Sequence, residues 1–225
     1  IFAVCCRKWR KKSMVENIYN QDVQIYHLRD LVEIRSSRRS VRVDNYPFKD
    51  ALPYMDIQTL ESGIASKYAE KGGAIVNTGD LLMVKDGYSS GKVYRGKEGI
   101  AGSTFTVLSP KSEDLREDYL YCYLTYCYDD FQKRKRGTTV GHLDMNYLKK
   151  LLVPLPNVRT QQEIAGKYQR IETLAAAIRD KALHLKELSV DLGNKELKKK
   201  SEQLIIHVEM TTKAWLHQTF SRTRL

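Results

Sequence analysis

The spacing of apolar and polar positions divides the chain into three stretches with different patterns. From about residue 23 to residue 110, short apolar runs alternate with turn residues, a pattern typical of strands. Gly73–Gly87 holds two such runs, separated by the turn residues Asn77–Asp80. Leu52–Leu60 alternates behind an early proline, as the entry to a strand does, and His27–Ile34 fits either a strand or a short helix. This stretch therefore predicts a β-rich, irregular domain.

A helical pattern follows between residues 113 and 136. Its apolar residues recur at spacings of three and four, which predicts one amphipathic helix packed on the β-rich domain. The last turn is rich in Lys and Arg, which suits the negative end of the helix dipole, and Gly137 ends the helix. The predicted apolar stripe consists of Leu115, Tyr119, Leu120, Tyr123, Leu124, Cys127 and Phe131.

Beyond Pro154 and Pro156, apolar positions alternate spacings of four and three, the pattern of a coiled-coil seam. A helix over residues 160–192 is about 50 Å long, and Thr160 with Glu163 fits a capping box at its start. This seam comprises Ile164, Tyr168, Ile171, Ala175, Ile178, Ala182, Leu185, Ser189 and Leu192.

So narrow and long a seam cannot be buried by its own helix and needs a partner. One hypothesis is that the helix lies across its own domain. The hypothesis we favour is a coiled coil with another copy or another protein, because charged residues such as Arg179, Asp180, Lys181, Lys186 and Glu187 flank the seam. After the interruption at Gly193–Asn194, a second apolar set predicts a further helix, with Leu197, Leu204, Ile205, Val208, Trp215, Leu216 and Phe220.

These patterns predict an α+β fold, in which a β-rich irregular domain precedes a long helix that forms a coiled coil. The domain boundaries fall at residues 23–157 for the β-rich part and 158–225 for the helical spacer and dimerisation region. The chain begins without Met. We expect residues 1–22 to be an N-terminal extension, either natural or introduced by cloning.

The charge balance points to a polyanionic partner. Lys and Arg number 38 against 27 Asp and Glu, for a formal net charge of +11, and such an excess favours nucleic acid first and a membrane surface second. The apolar run Ile1–Cys6 is too short to span a bilayer. The four cysteines form no CxxC pair and the five histidines are scattered. We therefore expect no metal site, reduced thiols and a cytoplasmic protein.

Catalytic motifs are absent from the sequence, so no catalytic residue and no cofactor is predicted. Asp86–Val93 resembles a phosphate-binding loop, but only three residues separate its glycines and Lys92 is followed by Val. This segment is either a Gly/Ser turn, with Ser89 and Ser90, that holds Lys92 near a phosphate backbone, or an ordinary hairpin connection. Tyr88 packs on a sugar or on the core, and we expect the core.

Two basic clusters are candidates for DNA contact, because Arg and Lys mixed with Ser and Thr suit phosphates and base edges. The alternative for each cluster is a solvated surface. The first cluster contains Arg35, Arg38, Arg39 and Arg42. The second contains Lys133, Arg134, Lys135 and Arg136, followed by Thr138, Thr139 and His142.

Several segments occur in a familiar order after "HLRDLVEI" at residues 27–34. A Gly-Asp strand and Gly/Ser turn (79–108) precede a Tyr-rich helix (115–124), and a Gly-Thr turn then leads through "VPLP" into the helix start "QQEI" (137–174). In this order the segments resemble a specificity-subunit repeat from type I restriction–modification systems. The resemblance covers roughly residues 27–192.

The resemblance implies a division of labour. The β-rich part would be a target recognition domain for one half of a split DNA site, and the long helix would be the conserved spacer. In that family two such helices pack antiparallel, set the distance between half-sites and dock methyltransferase subunits. Partner subunits carry out the methylation and the cleavage. The implied partners are double-stranded DNA, methyltransferase subunits and the restriction subunit, with no membrane.

The sequence departs from the family pattern because it holds one recognition domain and one spacer helix where a usual subunit has two of each. Three explanations stay open: a half-subunit that homodimerises through the long helix, a fragment, or the recognition module of a fused adenine methyltransferase. Two other classes also remain, an enzyme in its own right and a non-catalytic coiled-coil interaction protein.

Overall fold

The computed structural model describes residues 23–36, 41–135 and 141–221. The strands are β1 Gln24–His27, β2 Val32–Ser36, β3 Val43–Asp44, β4 Leu52–Met55, β5 Tyr68–Ala69, β6 Ile75–Val76, β7 Leu81–Val84, β8 Val93–Arg95, β9 Gly99–Ala101, β10 Phe105–Pro110 and β11 Leu152–Leu155. The helices are α1 Leu28–Leu31, α2 Ile57–Ser62, α3 Glu117–Tyr126, α4 Tyr128–Lys133, α5 Met145–Lys150, α6 Val158–Asp191 and α7 Lys195–Phe220. The α+β architecture predicted from the sequence is confirmed.

An antiparallel sheet with the order β2-β10-β7-β8 forms the centre of the β-rich domain. All four residues of β7 are buried, because both faces of this sheet are covered. Leu81 and Met83 point into a core shared with α3, whereas Leu82 and Val84 point into a second core on the opposite face. The alternation of side chains along one strand thus joins two hydrophobic layers.

A second sheet, in the order β3-β5-β4-β9-β6, covers that opposite face. Its strands β4 and β9 are parallel, and its other pairs are antiparallel. The sequence predicted a strand throughout Leu52–Leu60, but only Leu52–Met55 is one. The Asp56 side chain accepts a hydrogen bond from the Thr59 amide at 2.8 Å and caps α2 instead.

The predicted helix over residues 113–136 consists of two helices, α3 and α4, divided at Cys127. The second helix ends at Lys133, before the expected end at Gly137. The predicted apolar stripe is confirmed, because every one of its residues is buried against the domain core.

Strand β11 returns the chain to the beginning of the domain, as the sequence predicted for the apolar run before the prolines. It pairs antiparallel with β1, so that Leu155 lies opposite Gln24. Two tyrosine hydroxyls of α3 hold it in place: Tyr119 donates to the Pro154 carbonyl at 2.5 Å and Tyr123 to the Leu152 carbonyl at 2.6 Å. The long helix therefore starts from a strand anchored in the domain.

Helix α6 contains 34 residues and is about 51 Å long. Its N-cap is Asn157, whose side chain accepts from the Thr160 amide at 2.9 Å. The predicted capping box is wrong, because Thr160 already lies in the first helical turn and Asn157 takes the capping role.

Helix α7, also predicted, follows the turn at Gly193–Asn194 and packs antiparallel along α6. The seam positions Ala175, Ala182 and Ser189 are buried within this single chain. The expectation that the seam partner comes from another chain is therefore wrong for these positions, because α7 of the same chain covers them. The other seam positions become less buried toward the end of α6: Ile164 and Tyr168 are buried, Ile171 and Ile178 are half-buried, and Leu185 and Leu192 are exposed.

The C-terminal end of α7 docks on the β-rich domain. Phe220 is 1% exposed and packs edge-on against Tyr119 and Tyr123 of α3. One turn earlier, Trp215 stacks on Tyr168 of α6 with ring centroids 5.8 Å apart. The two long helices thus form a hairpin, here called the arm, whose base is built into the domain core.

Candidate nucleic-acid interface

Three segments distant in sequence meet at one surface of the β-rich domain. The turn at residues 86–91 contacts residues 141–142, since the Gly87 amide donates to the Gly141 carbonyl at 2.9 Å. It also contacts α4, because Gln132 Nε2 donates to the Ser90 carbonyl at 2.7 Å. The name turn–helix surface is used here for residues 86–91, 131–135 and 141–142. It joins the predicted Gly/Ser turn to the second predicted basic cluster.

Tyr88 projects from this surface into solvent. Its side chain is 94% exposed, so the expectation that it packs on the core is wrong. The Lys135 ammonium donates to the Tyr88 carbonyl and lies 5.4 Å from the centre of its ring. An exposed aromatic ring with a cation over it is a surface feature suited to stacking on sugars or bases and to pairing with phosphates.

Two described members of the second basic cluster, Lys135 and His142, contact this turn at Tyr88 and Asp86. Lys133 and Arg134 are exposed at the end of α4, and the Arg134 guanidinium covers the Tyr147 ring at 4.5 Å. His142 Nδ1 lies 2.8 Å from Asp86 Oδ1, and the imidazole is about half exposed. Arg136, Thr138 and Thr139 lie outside the described residues. DNA contact by this cluster stays a prediction.

The serines and lysine of the turn differ in exposure. Ser89 is half-buried, whereas Ser90 is fully buried and its carbonyl accepts from Gln132. Lys92 is exposed, and its ammonium lies 2.8 Å from Glu61 Oε1. The Tyr94 hydroxyl donates to the same oxygen at 2.9 Å.

The paired charges of Lys92 and Glu61 stabilise each other. Hydrogen bonds from Lys92 and Tyr94 lower the pKa of Glu61. Burial lowers the pKa of Lys92, but its hydrogen bonds with Glu61 and Tyr94 outweigh this, and the pKa lies above its ordinary value. Both groups are therefore charged at neutral pH, and a phosphate approaching Lys92 has to compete with Glu61.

The two described members of the first basic cluster, Arg35 and Arg42, have different surroundings. The Arg35 guanidinium is turned into the domain, where it donates to Asp80 Oδ2 at 3.1 Å and to Ser109 Oγ at 2.8 Å. Arg42 lies beside β3 on the second sheet and pairs with Asp44 at 3.3 Å. Arg38 and Arg39 lie outside the described residues. Contact of these arginines with DNA stays a prediction.

Sequence reasoning missed four polar members of this region: Glu61, Asp86, Tyr94 and Gln132. Each is separated from its partner by at least 31 residues, as in the pair Glu61–Lys92, and up to 56 residues, as in His142–Asp86. No local pattern signals such pairs. Of the four, Asp86 belongs to the turn that the sequence analysis identified. The turn sequence does not show which distant residue pairs with it.

Metal-ligand clusters, reactive thiols and membrane-spanning helices were sought among the described residues. Within ranges 23–36, 41–135 and 141–221, no group of three or more His, Cys, Asp or Glu side chains is arranged to hold a metal ion. Cys122 and Cys127 are free and buried, and burial raises the pKa of the Cys122 thiol. In the same part of the chain, no helix has both the length and the apolar character needed to cross a membrane.

Comparison with known proteins places these features in a family. Residues 20–184 match the family model of the type I restriction modification DNA specificity domain. The chain is 28% identical over 161 residues to the type I restriction enzyme MjaVIII specificity subunit of Methanocaldococcus jannaschii, a match that covers 70% of this chain and 38% of that protein.

Two solved structures have the same fold. One comes from work on complex assembly and conformational transition of the type I R-M system, with a TM-score of 0.57 and 16% identity over 92% of this chain and 50% of that one. The other is the HsdS subunit from Thermoanaerobacter tengcongensis, with a TM-score of 0.56 and 16% identity over 92% of this chain and 49% of that one. The chain spans half or less of the length of these relatives. Because the family model matches well over half of the chain, this protein belongs to the type I restriction modification DNA specificity domain family.

Proposed function

We propose that this chain recognises one half of a bipartite DNA site as the sequence-specificity component of a type I restriction–modification system. The observation that carries the proposal is the exposed Tyr88 ring with the Lys135 ammonium over it, on a surface where Lys133 and Arg134 are also exposed. This surface belongs to the part of the chain that the family model matches. In this proposal the cations contact phosphates and position the turn in a groove. The recognition domain comprises residues 23–157, and the helical region comprises residues 158–225.

The chain itself performs no chemistry in this proposal. Methyltransferase subunits methylate the DNA and a restriction subunit cleaves it, and the arm formed by α6 and α7 is the surface on which the methyltransferase docks. The buried reduced thiols Cys122 and Cys127 agree with the cytoplasmic location in which such a complex would act.

A second copy of the chain completes the bipartite recognition. The arm exposes leucines on one flank, among them Leu174 at 66% and Leu192 at 74%. Exposed apolar side chains in a row favour association. Two identical chains joined by their arms would recognise two identical half-sites, and hence a palindromic split target.

Binding to duplex DNA at a series of salt concentrations tests the proposal. Lys133→Gln, Arg134→Gln and Lys135→Gln are combined in one variant, and fluorescence anisotropy measures its affinity. We expect weaker binding and a salt slope reduced by about 0.9 for each phosphate that the variant no longer neutralises.

The matched control carries Lys195→Gln, Lys198→Gln and Lys199→Gln, which remove three exposed lysines at the far end of the arm. This control keeps the affinity and the slope if DNA lies on the turn–helix surface. Equal losses in the two variants would mean that binding follows net charge alone. Affinity that does not depend on DNA sequence would favour a coiled-coil interaction protein, and binding of S-adenosylmethionine by the isolated chain would favour an enzyme.

A further inference from the structure

The arm leaves the β-rich domain beside a half-buried ionic joint. Arg95, the last residue of β8, extends its guanidinium between α3 and α6, with Nη1 3.3 Å from Glu172 Oε2. Its Nε lies 3.5 Å from Asp118 Oδ1 and 4.0 Å from Glu117 Oε1. The guanidinium also covers the Tyr121 ring at 3.8 Å, and the Tyr121 hydroxyl donates to Glu172 Oε1 at 2.9 Å. One arginine thus links the sheet, α3 and the long helix.

This joint lies farther along α6 than another polar attachment of that helix. That attachment is Gln161, which is fully buried and donates through Nε2 to the Asp114 carbonyl at 2.7 Å and the Pro156 carbonyl at 2.8 Å. Beyond Glu172, the buried positions of α6 lie outside the core cluster of the domain, and Lys186 pairs with Glu202 of α7 at 3.1 Å. Glu172 therefore marks where the arm projects from the domain.

A small rotation at this point has a large effect at the tip of the arm. From Glu172 to Asp191, the end of α6, the helix rises by about 28 Å. A tilt of about 7° then displaces the tip by about 3.4 Å, which is the rise of one base pair. If the arm sets the distance between two DNA half-sites, the accuracy of that distance depends on how rigidly the joint is held.

We propose that Arg95 and Glu172 are positioning residues that fix the direction of the arm and thereby determine which distance between half-sites is accepted. The proposal rests on the proposed function. A planar guanidinium held by several carboxylates and stacked on a ring is directional, whereas the apolar contacts around Tyr168 and Trp215 tolerate small rotations. The joint supplies the directional part of the attachment.

The direction of the arm is measured first, without DNA. Spin labels are attached to Glu98→Cys on the domain and Asp191→Cys at the tip, both exposed positions, in a chain whose Cys5 and Cys6 are replaced by serine. Cys122 and Cys127 are buried. We expect a broader distribution of label–label distances in Arg95→Met and in Glu172→Gln than in the parent chain.

Lys186→Met is the matched control, because it removes an ion pair between the two helices beyond the joint. It keeps the parental distribution if the joint alone sets the direction. Glu172→Gln preserves the volume of the side chain, so it still tests the proposal if Arg95→Met does not fold. An unchanged distribution in Glu172→Gln overturns the proposal.

The spacing itself is measured by methylome sequencing of cells that carry the protein with its methyltransferase. We expect Glu172→Gln to keep the half-site sequence of the parent and to methylate it at additional spacings. The same single spacing in variant and parent overturns the proposal. If the parent chain directs no bipartite methylation at all, the proposed function fails, and the label distances still decide whether the joint holds the arm.

Discussion

At the scale of single residues, Gly91 is a position on the turn–helix surface where any added side chain would be unfavourable. Its φ of 93° lies in the left-handed region, and a Cβ added there would stand 2.7 Å from the Phe131 Cβ. We therefore expect Gly91→Ala to lower the free energy of unfolding by about 2–4 kcal/mol, from backbone strain and overpacking together. Urea unfolding of the full chain measures this change.

Gly87→Ala separates the two causes. Gly87 also has a positive φ, of 100°, but no atom lies within 4 Å of the added Cβ. Only the backbone strain applies, and we expect a loss of roughly 1 kcal/mol. Equal losses at the two glycines would contradict the close packing of the turn on Phe131.

A second residue-scale prediction concerns Gln161, the buried amide at the start of α6. Its Oε1 accepts from the Arg116 amide at 2.8 Å, in addition to the two bonds donated by its Nε2. Gln161→Met keeps the volume but leaves buried backbone groups without partners, which we expect to cost about 2–4 kcal/mol in urea unfolding. Gln162→Met, at an exposed neighbouring position, is expected to change stability by less than about 0.5 kcal/mol. Equal costs would show that the Gln161 bonds contribute nothing.

The sequence identified candidate segments but not how they meet. It gave the Gly/Ser turn and Lys133–Lys135 as separate candidates, and the structure brings the two together. It could not show that Arg35 points into the domain or that Tyr88 points out of it. The direction of a side chain depends on which partners the fold brings from elsewhere, and Asp80 and Ser109 are 45 and 74 residues away from Arg35.

At the scale of elements, the docking of α7 on α3 closes the arm onto the domain. Phe220 is buried among tyrosine rings, so Phe220→Ala removes a large apolar side chain at this point. We expect a loss of about 3–5 kcal/mol of stability. In this variant, hydrogen exchange relative to the parent chain should accelerate more in the C-terminal half of α7 than in its N-terminal half, because the docked end is released.

Met210→Ala is the control for this prediction, because Met210 lies on the same helix and is 66% exposed. We expect its exchange pattern to match the parent chain. Uniform acceleration along α7 in Phe220→Ala would contradict docking at the C-terminal end and indicate that the whole helix is released as one unit.

Periodicity in the sequence determined which faces are apolar but not what covers them. The stripe on α3 and α4 was correctly predicted, yet the break at Cys127 has no glycine or proline to signal it. On α6, the seam positions Ala175, Ala182 and Ser189 are buried, whereas Leu185 and Leu192 are exposed. Apolar spacing of three and four on α6 is the same whether the partner helix belongs to the same chain or to another chain. The turn at Gly193–Asn194 was the only local sign in the sequence that the chain doubles back.

At the scale of the whole molecule, the arm holds apolar surface that a single chain leaves exposed. At 100° per residue, Leu174, Leu185 and Leu192 project from one flank of α6 within about 20° of each other. Leu204 of α7 is also partly exposed, at 38%. Two arms packed flank to flank would bury these leucines in a four-helix bundle, which is the homodimer of the proposed function.

Light scattering of the full chain measures the dimer directly, with an expected mass of twice the 26.0 kDa of one chain. We expect Leu174→Glu combined with Leu185→Glu to shift the mass to that of a monomer, because two charges per chain would be buried at the interface. Val190→Glu is the control: Val190 is 63% exposed but projects about 140° away from Leu185 on the same helix. A monomer at every concentration of the parent chain contradicts the homodimer, and dissociation by the control contradicts the choice of flank. A dimer that dissociates only in the leucine variant would show that this flank of the arm joins two copies, so that one assembly carries two recognition domains, as a palindromic split target requires.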